Sequence, residues 1–261
     1  MILGHDVQGR GSVAVVVLHE WLGDHTNYDP VRPYLDGDRF TWIFADFRGY
    51  GRSRGMAAVQ AAGAITVEDA AADVLALMEA LGHRRFAVVG HSMGGMVGQR
   101  LAALAPERVT CLVAVTPVPA SGFPADQAVR ARMRALLEDD DALAAGVDLR
   151  TGHRYGAGWR AWKAAAARRA ASREAQLAYL AMFTTANFAR EVEGLTLPVL
   201  AVLGEHDLPL YREASIRPLF GRWYRNLEVI VCREAGHYPM LEAPVFLASA
   251  MERFIAANGV P

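Results

Sequence analysis

Continuous apolar runs of strand length recur along the chain, at residues 13–18, 40–45, 86–89, 109–115, 198–203 and 227–232. Apolar residues mostly follow one another within them instead of alternating with polar ones. That is the pattern of strands covered on both faces, as in a parallel sheet. Between several runs the apolar residues take helical spacing. Thr66 stands before Glu68 and Asp69 as an N-cap with acids in the first turn. Val74, Leu75, Leu77, Met78 and Leu81 then make one buried face, and Gly82 stops the helix. A second helix is expected after residue 92, broken at Pro106, and a closing one over 244–256. A short helix is expected to open at 29–35, and the small, glycine-punctuated segment 57–64 reads as a loop. Strands alternating with helices predict an α/β protein, with a mostly parallel central sheet flanked by helices.

The rhythm changes after the fourth run. From residue 118 to 190 there is no strand-like run, and alanine, arginine, tryptophan and acids take over at helical spacing. Residues 1–117 and 191–261 are therefore expected to form one core, with 118–190 as a helical insertion.

The run 86–89 leads straight into Gly90-His91-Ser92-Met93-Gly94-Gly95, and that into a helical pattern. This is strand, sharp turn, helix, with a serine at the apex. Small neighbours suit such a turn, because the serine backbone is strained and strand and helix pass close together. The geometry lifts the hydroxyl clear of the sheet as an exposed elbow and aims the first helical amides at whatever the hydroxyl attacks.

Further motifs follow in order. His19-Glu20-Trp21-Leu22-Gly23 follows the first run, Asp46-Phe47-Arg48-Gly49-Tyr50-Gly51-Arg52-Ser53 the second, Gly204-Glu205-His206-Asp207 the fifth and Gly236-His237-Tyr238-Pro239 the last. With the serine turn, these resemble the α/β-hydrolase fold superfamily over almost the whole chain, and within it the small capped serine esterases, enol-lactonases and cofactor-free haloperoxidases. The resemblance makes 118–190 a cap over the active site. It also implies the chain order Ser92, Asp207, His237 for nucleophile, acid and base. A serine hydroxyl needs a base within hydrogen-bond reach, for which His237 stands, and the imidazole needs a carboxylate to hold its tautomer, for which Asp207 stands. Glu205, two residues from Asp207, is the rival acid; Thr116-Pro117-Val118-Pro119 offers no carboxylate after the earlier strand. The oxyanion donors expected are the N–H groups of Trp21 and Met93. His91 is expected to be structural, His206 to be solvent-facing or structural, and Asp46 and Arg48 to fix a turn. Trp159, Trp162 and Phe183 are expected to line the substrate pocket. The arginines of 118–190 read first as a solvated helix face, the alternative being that Arg154 or Arg160 meets an anionic substrate group.

The sequence departs from the family at Glu20, where glycine is usual. A carboxylate facing the oxyanion would oppose it, so the side chain is expected to turn toward an arginine or solvent. The expected activity is cleavage of a carboxylic ester or lactone by a cofactor-independent serine hydrolase, through an acyl-enzyme. Carbon–carbon bond (diketone) hydrolysis on the same triad and a non-hydrolytic small-ligand receptor are the alternatives.

Composition adds limits. With 261 residues and 52% hydrophobic content there is ample material for a buried core. A net charge of -1 gives no overall pull toward nucleic acid or membrane, so the expected partner is a small-molecule ester or lactone. Lys163 is the sole lysine. Cys111 and Cys232 lie in apolar runs and read as buried free thiols, which with the absence of a signal-like start suggests a cytoplasmic protein. The scattered His5, His25, His83 and His153 form no metal pattern, and no phosphate-binding glycine loop appears, so neither metal nor cofactor is expected.

Overall fold

The computed structural model describes residues 2–57, 59–60 and 63–259. Its strands are β1 (His5–Gln8), β2 (Val13–Leu18), β3 (Phe40–Ala45), β4 (Val59–Gln60), β5 (Gly63–Ala64), β6 (Phe86–His91), β7 (Val109–Val115), β8 (Leu195–Gly204) and β9 (Tyr224–Cys232). Its helices are α1 (Val67–Ala80), α2 (Met93–Leu104), α3 (Gln127–Ala135), α4 (Asp140–Arg150), α5 (Ala157–Ala170), α6 (Arg173–Thr185), α7 (Ala189–Val192), α8 (Glu213–Trp223), α9 (Pro239–Glu242) and α10 (Pro244–Asn258).

The main sheet has the order β1-β3-β2-β6-β7-β8-β9. Only the β1–β3 pairing is antiparallel; the others are parallel. Strands β3, β6 and β7 are buried at every position, as their mostly continuous apolarity predicts. The strand order reverses between β2 and β6, whose register pairs Leu18 with Gly90. Their carboxyl ends therefore deliver the His19 turn and the Ser92 turn side by side, at the place where open α/β sheets take ligands.

Helix α1 starts with a capping box: Thr66 Oγ1 accepts from Asp69 N at 3.1 Å and Asp69 Oδ2 accepts from Thr66 N at 2.9 Å. Its buried face includes Val74, Leu77 and Met78, while Leu75 and Leu81 are only half-buried. Elsewhere the chain differs from expectation. In place of a helix at 29–35 there are two 3₁₀ turns, His25–Tyr28 and Arg32–Tyr34, because Pro30 and Pro33 interrupt helical hydrogen bonding. In segment 57–64, Ala58, Ala61 and Ala62 lie outside the described residues, and β4 pairs with β5 where a loop was expected. The edge strand β1 and helix α8, which carries Pro218, were not foreseen.

Helices α3 to α7 fill the stretch between β7 and β8. An isolated antiparallel bridge, Tyr50 to Ala171, ties this insertion to the turn after β3. Cys111 and Cys232 are both buried and free. Burial pushes the Cys111 thiol up to about 12, so it is an inert core group. No helix among the described residues is long and apolar enough to cross a membrane.

Candidate active site

Ser92 sits between β6 and α2 at φ 52° and ψ −113°, a strained conformation for a residue with a side chain. Two glycines permit it. A Cβ on Gly90 would lie 2.4 Å from Gly94 O, and one on Gly94 would lie 2.6 Å from His19 O. Ser92 N donates to Val115 O at 2.9 Å, and Ser92 O accepts from Val118 N at 3.0 Å, so both flanks of the turn are fixed. The residue is only 6% exposed. The expected exposed elbow is corrected here: Ser92 is buried and shares a cavity with Val118, Met133, Arg150 and Phe183 of the stretch 118–190.

His237 lies in the loop after β9, and its Nδ1 donates to Asp207 Oδ2 at 2.7 Å with both side chains buried. An ionised carboxylate can only accept, so Nδ1 carries a proton, and in the neutral imidazole the lone pair is then on Nε2. Asp207 Oδ1 accepts from Leu208 N at 2.6 Å, which fixes the carboxylate. Glu205 is exposed, and His237 pairs with Asp207 rather than with it. His237 N donates to Arg150 O at 2.9 Å. His91 Nε2 donates to the His237 carbonyl at 2.8 Å. Burial, with His237 close by, pushes His91 down to about 3, so it stays neutral and acts as a brace. His206 donates to Arg233 O at 3.0 Å, away from the site.

The turn after β2 is equally fixed. His19 Nδ1 donates to Glu20 O at 2.7 Å, and its Nε2 accepts from Phe47 N at 3.1 Å. Tyr50 donates to Trp21 O at 3.0 Å, and the Trp21 indole donates to Gln176 O at 2.7 Å. Asp46 accepts from His25 N and Arg52 N, each at 2.9 Å, which organises the neighbouring turn, while Arg48 pairs with Asp73. The backbone amides of Trp21 and Met93 donate to no acceptor among the described residues, and both residues border the same cavity.

Glu20 corrects a second expectation. It turns neither to an arginine nor to solvent; it is buried, and Oε1 accepts from Lys163 Nζ at 2.8 Å. Oε2 accepts from Leu22 N at 2.9 Å, and Asn27 Nδ2 lies 3.3 Å from Oε1. Burial raises the Glu20 carboxyl, but the charge and hydrogen bond of Lys163, together with His91 and His237 nearby, outweigh that and hold it well below the usual carboxylate range.

Ser92, His237, Trp21, Met93 and Phe183 all border one cavity, together with Val118, Met133, Arg150 and Tyr211. Its free volume is about 10 Å³, room for a single water. Trp159 and Trp162 do not border it. Trp159 stacks on Tyr155 at 4.6 Å, and Trp162 is 49% exposed. Arg154 and Arg160 are also elsewhere, each 3.1 Å from an acid, Glu242 and Asp148 respectively. Sequence reasoning missed Tyr211, whose ring lies 4.6 Å from that of His237. Its one sequence signal is an aromatic residue four positions after the acid of the same loop. Among the described residues no cluster of histidine, cysteine and carboxylate side chains could hold a metal ion.

A family model described as alpha/beta hydrolase fold matches residues 13–157, more than half of the chain. The chain belongs to this family. Among its relatives is the pimeloyl-[acyl-carrier protein] methyl ester esterase of Klebsiella pneumoniae, 28% identical over 253 residues, which cover 90% of this chain and 91% of that enzyme. Among solved structures, the enol-lactonase of Burkholderia xenovorans matches with a TM-score of 0.81 at 23% identity, over 97% of this chain and 96% of that one. A bromoperoxidase of Bacillus anthracis matches with a TM-score of 0.81 at 19% identity, over 97% and 94% of the two chains. At these identities the structural likenesses establish the α/β-hydrolase fold.

Proposed function

We propose that this α/β-hydrolase is a cofactor-independent serine hydrolase that cleaves a carboxylic ester or lactone. The carrying observation is the 2.7 Å bond from His237 Nδ1 to the buried Asp207, in a cavity shared with a serine strained to φ 52°. With the imidazole proton held on Nδ1, Nε2 is free to take the Ser92 proton as the hydroxyl attacks the ester carbonyl. The carbonyl oxygen becomes an oxyanion, which the N–H groups of Trp21 and Met93 stabilise. Collapse expels the alkoxide, protonated from His237, and leaves Ser92 acylated. Water, deprotonated by the same nitrogen, then releases the acid. The buried Tyr211 phenol lies beside Ser92, and its own ionisation is suppressed by burial, so it serves as a neutral hydroxyl in the pocket.

In this reading residues 118–190 are a cap. The cavity of about 10 Å³ admits an acyl group only when Met133, Phe183 or the helices carrying them give way. The names of the esterase and lactonase relatives point to the same substrate chemistry. Carbon–carbon hydrolysis would need an additional proton transfer, and Glu20, the nearest spare acid, has both oxygens committed.

A fluorophosphonate should label Ser92, and the labelling should require His237. Against a panel of esters, lactones, amides and diketones, Ser92→Ala should lose turnover by a factor on the order of 10⁶. An active Ser92→Ala protein would overturn the assignment.

A further inference from the structure

Arg150 ends α4 and borders the cavity beside Ser92, and its charge reaches Tyr211, which borders the same cavity. It is the one permanently cationic side chain among the residues bordering that cavity. Nη1 donates at 2.9 Å to Gly146 O, in its own helix. Among the described residues no carboxylate lies within salt-bridge distance of it, whereas Arg154, Arg160 and Arg168 in the same insertion all have acid partners. The acid that borders the cavity, Glu20, is matched by Lys163, and Asp207 behind His237 is matched by its bond to that ring.

The position of Arg150 is fixed relative to the proposed base. Its carbonyl accepts from His237 N at 2.9 Å, and Gly236 packs so closely that a Cβ there would lie 2.4 Å from the same oxygen. Its charge is felt at Tyr211 and Tyr238, where it favours ionisation against the larger effect of burial. Val118, Met133 and Phe183 supply apolar walls around it. A site with apolar walls and one fixed charged group selects ligands by that group. A guanidinium with free donors in such a place suits a planar carboxylate, which it can hold through two parallel hydrogen bonds.

The geometry points to Arg150 as a substrate-binding residue for a carboxylate carried by the ester itself, so that the preferred substrates are half-esters or lactones derived from dicarboxylic acids. This rests on the hydrolase reading above. The competing role is local: an arginine near a helix C-terminus can simply serve the last carbonyls of its own helix. The bond to Gly146 uses one donor of five, and the two roles separate by experiment.

The test compares two 4-nitrophenyl esters of equal acyl length, the glutaric acid half-ester and the neutral pentanoate. The measured quantity is the ratio of their kcat/KM values. Arg150→Gln should lower that ratio about tenfold or more, the worth of a hydrogen bond to a charged group, mainly through KM of the half-ester. Arg150→Lys should restore part of it. Arg168→Gln, which alters the pair with Asp140, should leave it as in wild type. Glutarate should inhibit pentanoate hydrolysis by wild type better than it inhibits Arg150→Gln. A folded Arg150→Gln protein with the wild-type ratio would overturn the carboxylate site and leave the hydrolase reading standing. So would a wild-type protein that shows no preference for the half-ester, which keeps the test decisive if the variant does not fold. A wild-type protein that turns over neither these esters nor any in the panel would remove both.

Discussion

Lys163 Nζ lies 2.8 Å from Glu20 Oε1, and neither side chain is more than 3% exposed. The lysine comes from α5 in the insertion and the glutamate from the turn after β2, so the pair crosses between the two parts of the chain. Lys163 also donates to Leu22 O at 2.7 Å and sits 4.8 Å from the centre of the Tyr238 ring. An unpaired carboxylate ~6 Å from a developing oxyanion, at an effective dielectric of ~20, would oppose it by about 3 kcal/mol. The ammonium cancels that field, which makes a glutamate tolerable beside the proposed donor Trp21.

Removing one member of a buried pair strands the other. Lys163→Met should destabilise the fold by about 3–5 kcal/mol in urea unfolding, and Glu20→Gln/Lys163→Met should recover part of the loss. Glu20→Gln alone should change ester turnover only a few-fold, because the lysine keeps Leu22 O as a partner. A Lys163→Met protein as stable as wild type would mean the pair does not hold the turn.

The parts of the site that could be read from the sequence are those set by backbone geometry. Turns that directly follow strands, at residues 19, 92, 207 and 237, place their side chains by chain path, and the sheet register then brings those turns together. The insertion was legible as helices but not in its facing. Trp159 and Trp162 share helical spacing with residues that point inward, yet the α5 side chain that reaches the site turn is Lys163. Arg154 is bound by Glu242, 88 residues away in sequence, so no local pattern could separate it from Arg150, which has no such partner. Nor could spacing predict that the carboxylate at position 20 is balanced by a lysine 143 residues later.

The acid assignment has its own test. Asp207→Asn should lose activity by a factor on the order of 10⁴, because an amide stabilises the wrong tautomer of His237. Glu205→Gln should stay close to wild type, since Glu205 is exposed and His237 bonds to Asp207. The reverse order in kcat would move the acid to Glu205.

Stability should fall as the solution is acidified below the ordinary histidine value of ~6.5. Burial holds the folded-state pKa of His91 down to about 3, and burial lowers His19 as well. Between those values the unfolded chain binds protons that the folded chain refuses. The stabilising contribution is therefore complete above ~6.5 and is lost as pH falls toward the folded value. The paired Glu20 and the hydrogen-bonded Asp46, both lowered, add to the loss at the acid end of this range. Urea midpoints measured across this window should decline in wild type and decline less in His91→Gln. Parallel curves for the two proteins would show that His91 is not a proton-refusing group.

Gly94 offers the last test, because helix propensity and packing pull in opposite directions there. Alanine in a helix is favoured over glycine by about 1 kcal/mol. At this position, however, the added Cβ would sit 2.6 Å from His19 O and 2.8 Å from Leu18 O, and both are backbone atoms that cannot rotate away. Relief requires α2 to move from the end of β2, and overpacking of this kind costs about 1–3 kcal/mol. The cost outweighs the propensity gain, so Gly94→Ala should be net destabilising. The atoms displaced belong to the turn that presents Trp21 N–H, so kcat should fall about tenfold or more with KM less affected, since loss of one oxyanion donor costs about 10²–10³. Gly98→Ala, one turn further along the same helix, is the control. Its Cβ would meet only the side-chain ends of Leu112 and Val88, at 2.7 and 3.2 Å, which can adjust. That variant should keep its turnover, and equal kcat losses in the two variants would show that the contact with His19 does not set the oxyanion geometry.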